Sequence, residues 1–223
     1  MSPTQSSLFA NQILAALPQT QCTRCGYPDC AAYARAIAQD GAPINQCPPG
    51  GGEGIRRLAA ITGQAVMALN PANGAEGARS IAIIDENWCI GCTLCIDACP
   101  TNAILGSNKL MHTVIEPHCT GCELCLPVCP VDCISMENVS GAATGWAAWS
   151  EPQAEQARTR YGFRTLRLEK AGSKLLDRQS DTLAQALDDL PAHSRIADPV
   201  GLEKKRAVVA AALARARERK GGA

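Results

Sequence analysis

Apolar positions recur with helical spacing in the first third of the chain and with strand character in the middle. The run Leu8-Phe9-Ala10-Asn11-Gln12-Ile13-Leu14-Ala15-Ala16-Leu17, broken by two amides, predicts an amphipathic helix within residues 1–17. Asp29 stands in a capping position for a second helix that continues through Ala38 and ends at Gly41. Ile55, Leu58, Ile61 and Ala65 share one face of a third helix, expected from Ile55 to Leu69. Pro71 to Gly77 reads as a linker. Ile81–Ile84 and Met111–Ile115 are strand-like, and short apolar segments, Ala103–Leu105 and Cys133–Met136, follow each of them. Val200 to Lys220 is Ala-rich with seven Lys/Arg and predicts an exposed helix, whereas residues 141–199 give only patchy helix and loop. No apolar run reaches the roughly 20 residues of a membrane span, and the first ten residues carry no secretory signal.

Composition changes this picture in one respect. The chain has 223 residues but only 3 Trp, 3 Tyr and 2 Phe, too few to fill one large core, alongside 13 Cys. Small domains nucleated by the cysteines are expected. An odd count, dense CxxC spacing and the missing signal favour reduced, metal-ligating thiols over disulfides. Charge is divided: residues 1–139 carry six Lys/Arg against eleven Asp/Glu, a balance of −5, and residues 140–223 carry fifteen against ten, +5. The basic tail is expected to serve as a docking or tethering device, its last helix presenting a solvated face; the alternative is a structural lid, with Trp146 and Trp149 folded back onto the ferredoxin-like unit.

The cysteines contain a repeat. Ile90-Gly91-Cys92-Thr93-Leu94-Cys95 returns as Thr120-Gly121-Cys122-Glu123-Leu124-Cys125, and each cysteine of the first copy recurs 30 residues on. Cys89, Cys92, Cys95, Cys99 and Pro100 fit C-x2-C-x2-C-x3-C-P, as do Cys119, Cys122, Cys125, Cys129 and Pro130. Three thiolates from one tight loop can occupy three corners of a cubane, while the fourth cysteine of such a run ligates the other cluster in two-cluster ferredoxins. This assigns Cys89, Cys92, Cys95 and Cys129 to one [4Fe–4S] cluster and Cys119, Cys122, Cys125 and Cys99 to its neighbour. Gly91 and Gly121 let the backbone approach the sulfurs. Paired CxxC zinc modules use a longer spacer and fit these copies poorly.

Cys22, Cys25, Cys30 and Cys47 form a third set, C-x2-C-x4-C-x16-C, for which spacing alone leaves zinc or a cluster open. Helix N-termini after Cys30 and after the glycine run would favour an anionic cluster. Gly50-Gly51-Gly52-Glu53-Gly54 lacks the strand and the Gly-Lys-Ser/Thr of a phosphate loop and reads as a flexible turn. Cys133 is expected as a small buried residue beside a cluster and Trp88 as a shield against water. His112, His118 and His193 stand apart from every ligand set and take no role.

With these residues assembled, 13–137 resemble the B subunit of the Rnf/Rsx-type electron transport complex, a bacterial membrane-bound oxidoreductase. The resemblance rests on Leu17-Pro18-Gln19-Thr20-Gln21-Cys22, Cys25-Gly26-Tyr27-Pro28-Asp29-Cys30, Ile44-Asn45-Gln46-Cys47-Pro48-Pro49-Gly50-Gly51, Ile84-Asp85-Glu86-Asn87-Trp88-Cys89-Ile90-Gly91-Cys92, Met111-His112-Thr113-Val114 and Cys129-Pro130-Val131-Asp132-Cys133-Ile134. It implies that the first four-Cys set is a third [4Fe–4S] site. The family begins with a membrane-spanning helix and lacks the long basic tail, two points at which this sequence departs from it.

The expected fold is α+β: an N-terminal helix (1–17), a small helical four-Cys domain (18–70), a linker (71–79), a duplicated two-cluster ferredoxin-like domain (80–139) and a partly helical basic tail (140–223). The expected function is the transfer of single low-potential electrons within an Rnf/Rsx-like complex, with its other subunits or a soluble redox protein as partners. The expected location is the bacterial cytoplasm, including the cytoplasmic face of the inner membrane. A stand-alone polyferredoxin and an iron–sulfur redox sensor are the alternatives. No acid, base or nucleophile stands out as a catalytic group, and no helix-turn-helix supports nucleic-acid binding.

Overall fold

A computed structural model describes residues 3–221. They divide into two units, one ending at Arg164 and the other starting at Thr165.

The first unit opens with α1 (Pro3–Ala15), α2 (Cys30–Asp40) and α3 (Gly51–Thr62). Asp29 caps α2 by accepting from the Ala32 amide at 2.6 Å, and Gly41, at φ 67°, closes it. The glycine run expected as a turn is the first turn of α3. That helix stops at Thr62, not Leu69, because Gly63 takes the left-handed cap conformation at φ 73°. Beyond it, residues 68–70 lie outside any helix and are tied to Asn45, which donates to the Ala68 carbonyl and whose own carbonyl accepts from the Asn70 amide. The three helices bury Ile13, Leu17, Tyr33, Ile37, Ile44, Ile55 and Leu58 in one core.

Beyond the linker the fold is built twice. Strand β1 (Ser80–Ile84) pairs antiparallel with β4 (Ile134–Asn138), and β2 (Ile104–Leu105) pairs antiparallel with β3 (Thr113–Val114). Ile84 faces Ile134 in one ladder and Val114 faces Ile104 in the other. Those two pairs are the same positions displaced by the repeat, so each copy's trailing strand pairs with the leading strand of the other. Helix α4 (Leu94–Ala98) follows the first cysteine loop. Ile81, Ala82, Ile84, Ala103 and Ile104 make a core in which Cys95, Cys99, Cys119 and Cys125 are themselves packing residues.

Helix α5 (Gly145–Ala148) and the start of α6 (Glu151–Asp188) also belong to this unit. Trp149 is buried, its Nε1 donating to the Pro18 carbonyl at 2.8 Å, with the Arg79 guanidinium 4.7 Å from its ring centre. Arg57 lies 4.2 Å over Trp146 and pairs with Glu151 at 2.8 Å. Residues 145–164 therefore pack with the cysteine domains, which the charge pattern of the tail did not suggest.

The second unit is a helical hairpin of the rest of α6 and α7 (Pro199–Gly221). Leu190 and Leu213 are its buried side chains, and Lys205 and Arg206 donate to the His193 and Leu187 carbonyls. Where the sequence suggested patchy helix, α6 runs unbroken for 38 residues. Gly162 and Gly172 lie within it, with nothing within 4 Å of a Cβ at either position. Among the described residues no helix is long and apolar enough to cross a membrane.

Candidate metal centre

Cys22 and Cys25 sit on a loop whose backbone is left-handed at Gln19, Gln21 and Thr23, with φ of 58°, 54° and 60°. Such conformations cost of order 1–3 kcal/mol each outside glycine and persist only when the surroundings impose them. Two buried glutamines do so. Gln21 Oε1 accepts from the Cys30 amide at 2.9 Å, Gln21 Nε2 donates to Gln19 Oε1, and Gln19 Nε2 donates to the Leu17 and Leu14 carbonyls. Cys30 opens α2. The loop of Cys47 is tied to the same helix by Tyr33, whose hydroxyl donates to the Pro43 carbonyl at 2.7 Å and accepts from the Gln46 amide at 3.1 Å. Gly50 packs directly under the fourth cysteine, where a Cβ would lie 3.4 Å from Cys47 Sγ.

The two ferredoxin-like sets show their kinship atom by atom. The His112 amide donates to Cys89 Sγ and the Ala82 amide to Cys119 Sγ, each at 3.4 Å, and both donor and acceptor are displaced by 30 residues. Gly91 and Gly121 have φ of 67° and 69°. A Cβ on Gly91 would meet the Leu110 amide nitrogen at 2.5 Å, and one on Gly121 the Ser80 carbonyl oxygen at 2.4 Å. Thr93 and Glu123 are left-handed at 67° and 64°, and Asn102 and Asp132 at 51° and 49°. The left-handed glycine is unstrained, but the other two positions carry backbone strain in both copies, so the loops impose it.

The sulfurs gather across the copies. Cys99 lines one small cavity together with Cys119, Cys122 and Cys125, along with Ala82, Ala103 and Ile104. The Ala103 amide donates to Cys99 Sγ at 3.1 Å. On the other side, Cys129 Sγ lies 3.5 Å from Cys133 Sγ, and Cys133 also feels the charges of Cys129 and Cys89. Cys133 occupies the repeat position of Ala103 and is half-buried. Among the described residues no three His, Cys, Asp or Glu side chains crowd around one point as ligands of a single ion do.

Burial dominates the electrostatics. It pushes the thiols of Cys30 and Cys125 up to about 12 and those of Cys95 and Cys122 up to about 11, with neighbouring cysteines adding to the rise. Thiols so placed ionise when a cationic metal core takes up the charge. Amide donors aimed at the sulfurs and glycine cradles beneath them make a donor set that fits iron–sulfur clusters.

Several contributors carry no motif. His112, assigned no role from sequence, is buried with Nδ1 3.3 Å from Cys95 Sγ. Its repeat position is occupied by Ala82 in the other half, a difference that aligning the two copies reveals. Gln19, Gln21, Tyr33 and Trp149 act through contacts that sequence spacing does not reveal. Trp88, expected to shield a cluster, points outward and is 69% exposed.

Comparison with known proteins agrees with this chemistry. Residues 82–136 match the family described as 4Fe-4S dicluster domain and residues 17–49 the family described as putative Fe-S cluster. The B subunit of the ion-translocating oxidoreductase complex from Azoarcus sp. (strain BH72) is 57% identical over 147 residues, 66% of this chain and 80% of that one. The proteins of the same description from Thiobacillus denitrificans and Alkalilimnicola ehrlichii are 55% and 51% identical, over 48% and 67% of this chain and 57% and 81% of theirs. No solved structure matches. The chain is thus an iron–sulfur protein and belongs to the family of B subunits of ion-translocating oxidoreductase complexes.

Proposed function

We propose that twelve cysteines hold three [4Fe–4S] clusters and that the protein relays single low-potential electrons within an ion-translocating oxidoreductase complex. Cys22, Cys25, Cys30 and Cys47 would hold one cluster, Cys89, Cys92, Cys95 and Cys129 the second, and Cys119, Cys122, Cys125 and Cys99 the third. The observation that carries the reading is the cavity that joins Cys99 of one repeat to the three loop cysteines of the other. The clusters supply one-electron redox chemistry when bound.

The chain's own residues do the rest. The amides of Ala82, His112 and Ala103 donate to cysteine sulfurs, which favours the charged form of each thiolate. Ile81, Ile84 and Ile104 keep water from the paired sets. Thr120 Oγ1 donates to the Thr20 carbonyl at 3.0 Å and Arg24 pairs with Glu123 at 2.7 Å. These contacts hold the Cys22–Cys25 loop against the second-repeat loop. Arg79 donates to the Cys119 carbonyl at 2.7 Å while stacking on Trp149, and this fixes the same junction from the side. The second-repeat set therefore stands between the other two. This supports a linear relay with that set in the middle.

Reductive titration tests the function directly. Anaerobically purified protein should take up about three electrons per chain, one for each cubane. Uptake of none, or of about one, would refute the relay.

A further inference from the structure

In the second unit, α6 and α7 enclose an open cleft of about 480 Å³, a size usual for small-molecule sites. Leu176 and Leu183 of α6 line it from one side, Ala212 and Ala216 of α7 from the other. The two alanines lie one turn apart, and their small side chains leave a hollow where larger ones would close the packing of the two helices. Arg178, Arg215 and Arg219 stand exposed along its edge, and no Asp or Glu lines it. Among the described residues none of these three guanidiniums pairs with a carboxylate, whereas Arg206 on the same helix pairs with Glu203. Arg215 and Arg219 are one turn apart, so their like charges oppose the helix until an anion comes between them.

The cleft is polar at one end and apolar at the other. Lys205 and Arg206 of α7 donate to the His193 and Leu187 carbonyls, so the two helices run antiparallel. That course sets Arg215 and Arg219 alongside residues 176–179, beside Arg178, and sets Ala212 alongside Leu183. The three cations thus gather at the end away from the turn of the hairpin. The apolar end continues one turn beyond Ala212 to Val208, which is 66% exposed. Planar guanidinium forks match phosphate oxygens, and an apolar trough matches hydrocarbon. An acidic amphipathic helix would need cations along both edges of the whole groove instead. We propose that this cleft binds an acidic phospholipid of a bilayer, with Arg178, Arg215 and Arg219 on the phosphate and Leu183, Ala212 and Ala216 along the acyl chain. The end of the basic tail is then a built lipid site, where the sequence suggested only a solvated face.

The test uses the full-length protein and vesicles of phosphatidylcholine, with or without phosphatidylglycerol. In flotation the protein should rise with the phosphatidylglycerol vesicles and stay behind with phosphatidylcholine alone. Arg215→Gln together with Arg219→Gln should lower the partition constant roughly tenfold or more, because two of the three cations of the site are lost. Arg217→Gln, at an exposed position of α7 outside the cleft, should leave it unchanged. Ala212→Leu together with Ala216→Leu fills the trough without changing charge and should also weaken binding, which adsorption of a merely basic surface would not show. In the wild-type protein, phosphatidylglycerol vesicles should slow amide hydrogen exchange at residues 176–183 and 212–219, a readout that does not depend on any variant folding. Absence of flotation, an equal loss in Arg217→Gln, unweakened binding in the filled variant, or exchange protection elsewhere would overturn the site. Inorganic phosphate that protects the same segments as fully as the vesicles would give the cleft to a free anion, and polyglutamate that does so would give it to an acidic protein. Either result would overturn the lipid assignment.

Discussion

His112 distinguishes the two halves of the ferredoxin-like domain, and replacing it should separate their potentials. The ring is 1% exposed and its Nδ1 lies 3.3 Å from Cys95 Sγ. A thiolate only accepts, so Nδ1 carries the proton, and Nε2 is left buried with no partner. A hydrogen bond to a charged acceptor is worth about 1.5–3 kcal/mol. One-electron reduction takes the charge of a four-thiolate cubane from about −2 to about −3. The bond should strengthen by up to half, roughly 1 kcal/mol in favour of the reduced state. At about 59 mV per 1.4 kcal/mol for one electron this is about 40 mV. His112→Leu should therefore lower the potential of the Cys89 cluster by about 40 mV and leave the other two in place. His112→Asn, whose amide nitrogen can reach the same sulfur, should recover most of the loss. The assay is a mediated redox titration followed by EPR. An unmoved potential, or the same shift in both repeat clusters, would refute the reasoning.

Other outcomes follow from the same geometry. Cys99→Ala should abolish the cluster of Cys119, Cys122 and Cys125 while the Cys89 cluster survives, as read by EPR and iron content; the reverse pattern would break the cross-ligation. Trp149→Ala removes a buried ring, its bond to Pro18 and its contact with Arg79, and should cost about 3–5 kcal/mol of stability in anaerobic denaturant unfolding. Gly91→Ala and Gly121→Ala should each reduce iron content, because a Cβ would collide with the Leu110 or Ser80 backbone at a φ that disfavours side chains. Removing iron with a chelator should melt the domains whose cores contain Cys95, Cys99, Cys119 and Cys125 but spare the hairpin, so circular dichroism should retain the signal of α7 and the second half of α6.

What could be read in advance follows from which features are local. Both C-x2-C-x2-C-x3-C-P runs and their offset were legible because ligand spacing in a tight loop is set by covalent geometry. The Asp29 cap and the Gly41 stop of α2 were legible because each acts within one turn. The end of α3 was misjudged because the apolar stripe through Ala65 outweighed Gly63, whose left-handed cap decides the matter. Helix α6 was missed since its early buried face is made of alanines, Ala154 and Ala157, which give little apolar contrast. The position of Trp149 just past the ferredoxin-like unit suggests that it folds back, but its partner, Pro18, is 131 residues away and carries no signal in the sequence. His112 needed the folded register, which brings residue 112 beside Cys89 and Cys95. Trp88 misled for a related reason: proximity in sequence to Cys89 does not determine which way a ring points.

The central claim, three four-iron clusters on twelve cysteines, is tested most directly by quantifying iron, acid-labile sulfide and zinc in anaerobically purified protein. The account predicts about twelve iron and twelve sulfide per chain and no stoichiometric zinc. About eight iron, or one zinc for every eight iron, would contradict it at the Cys22, Cys25, Cys30 and Cys47 site.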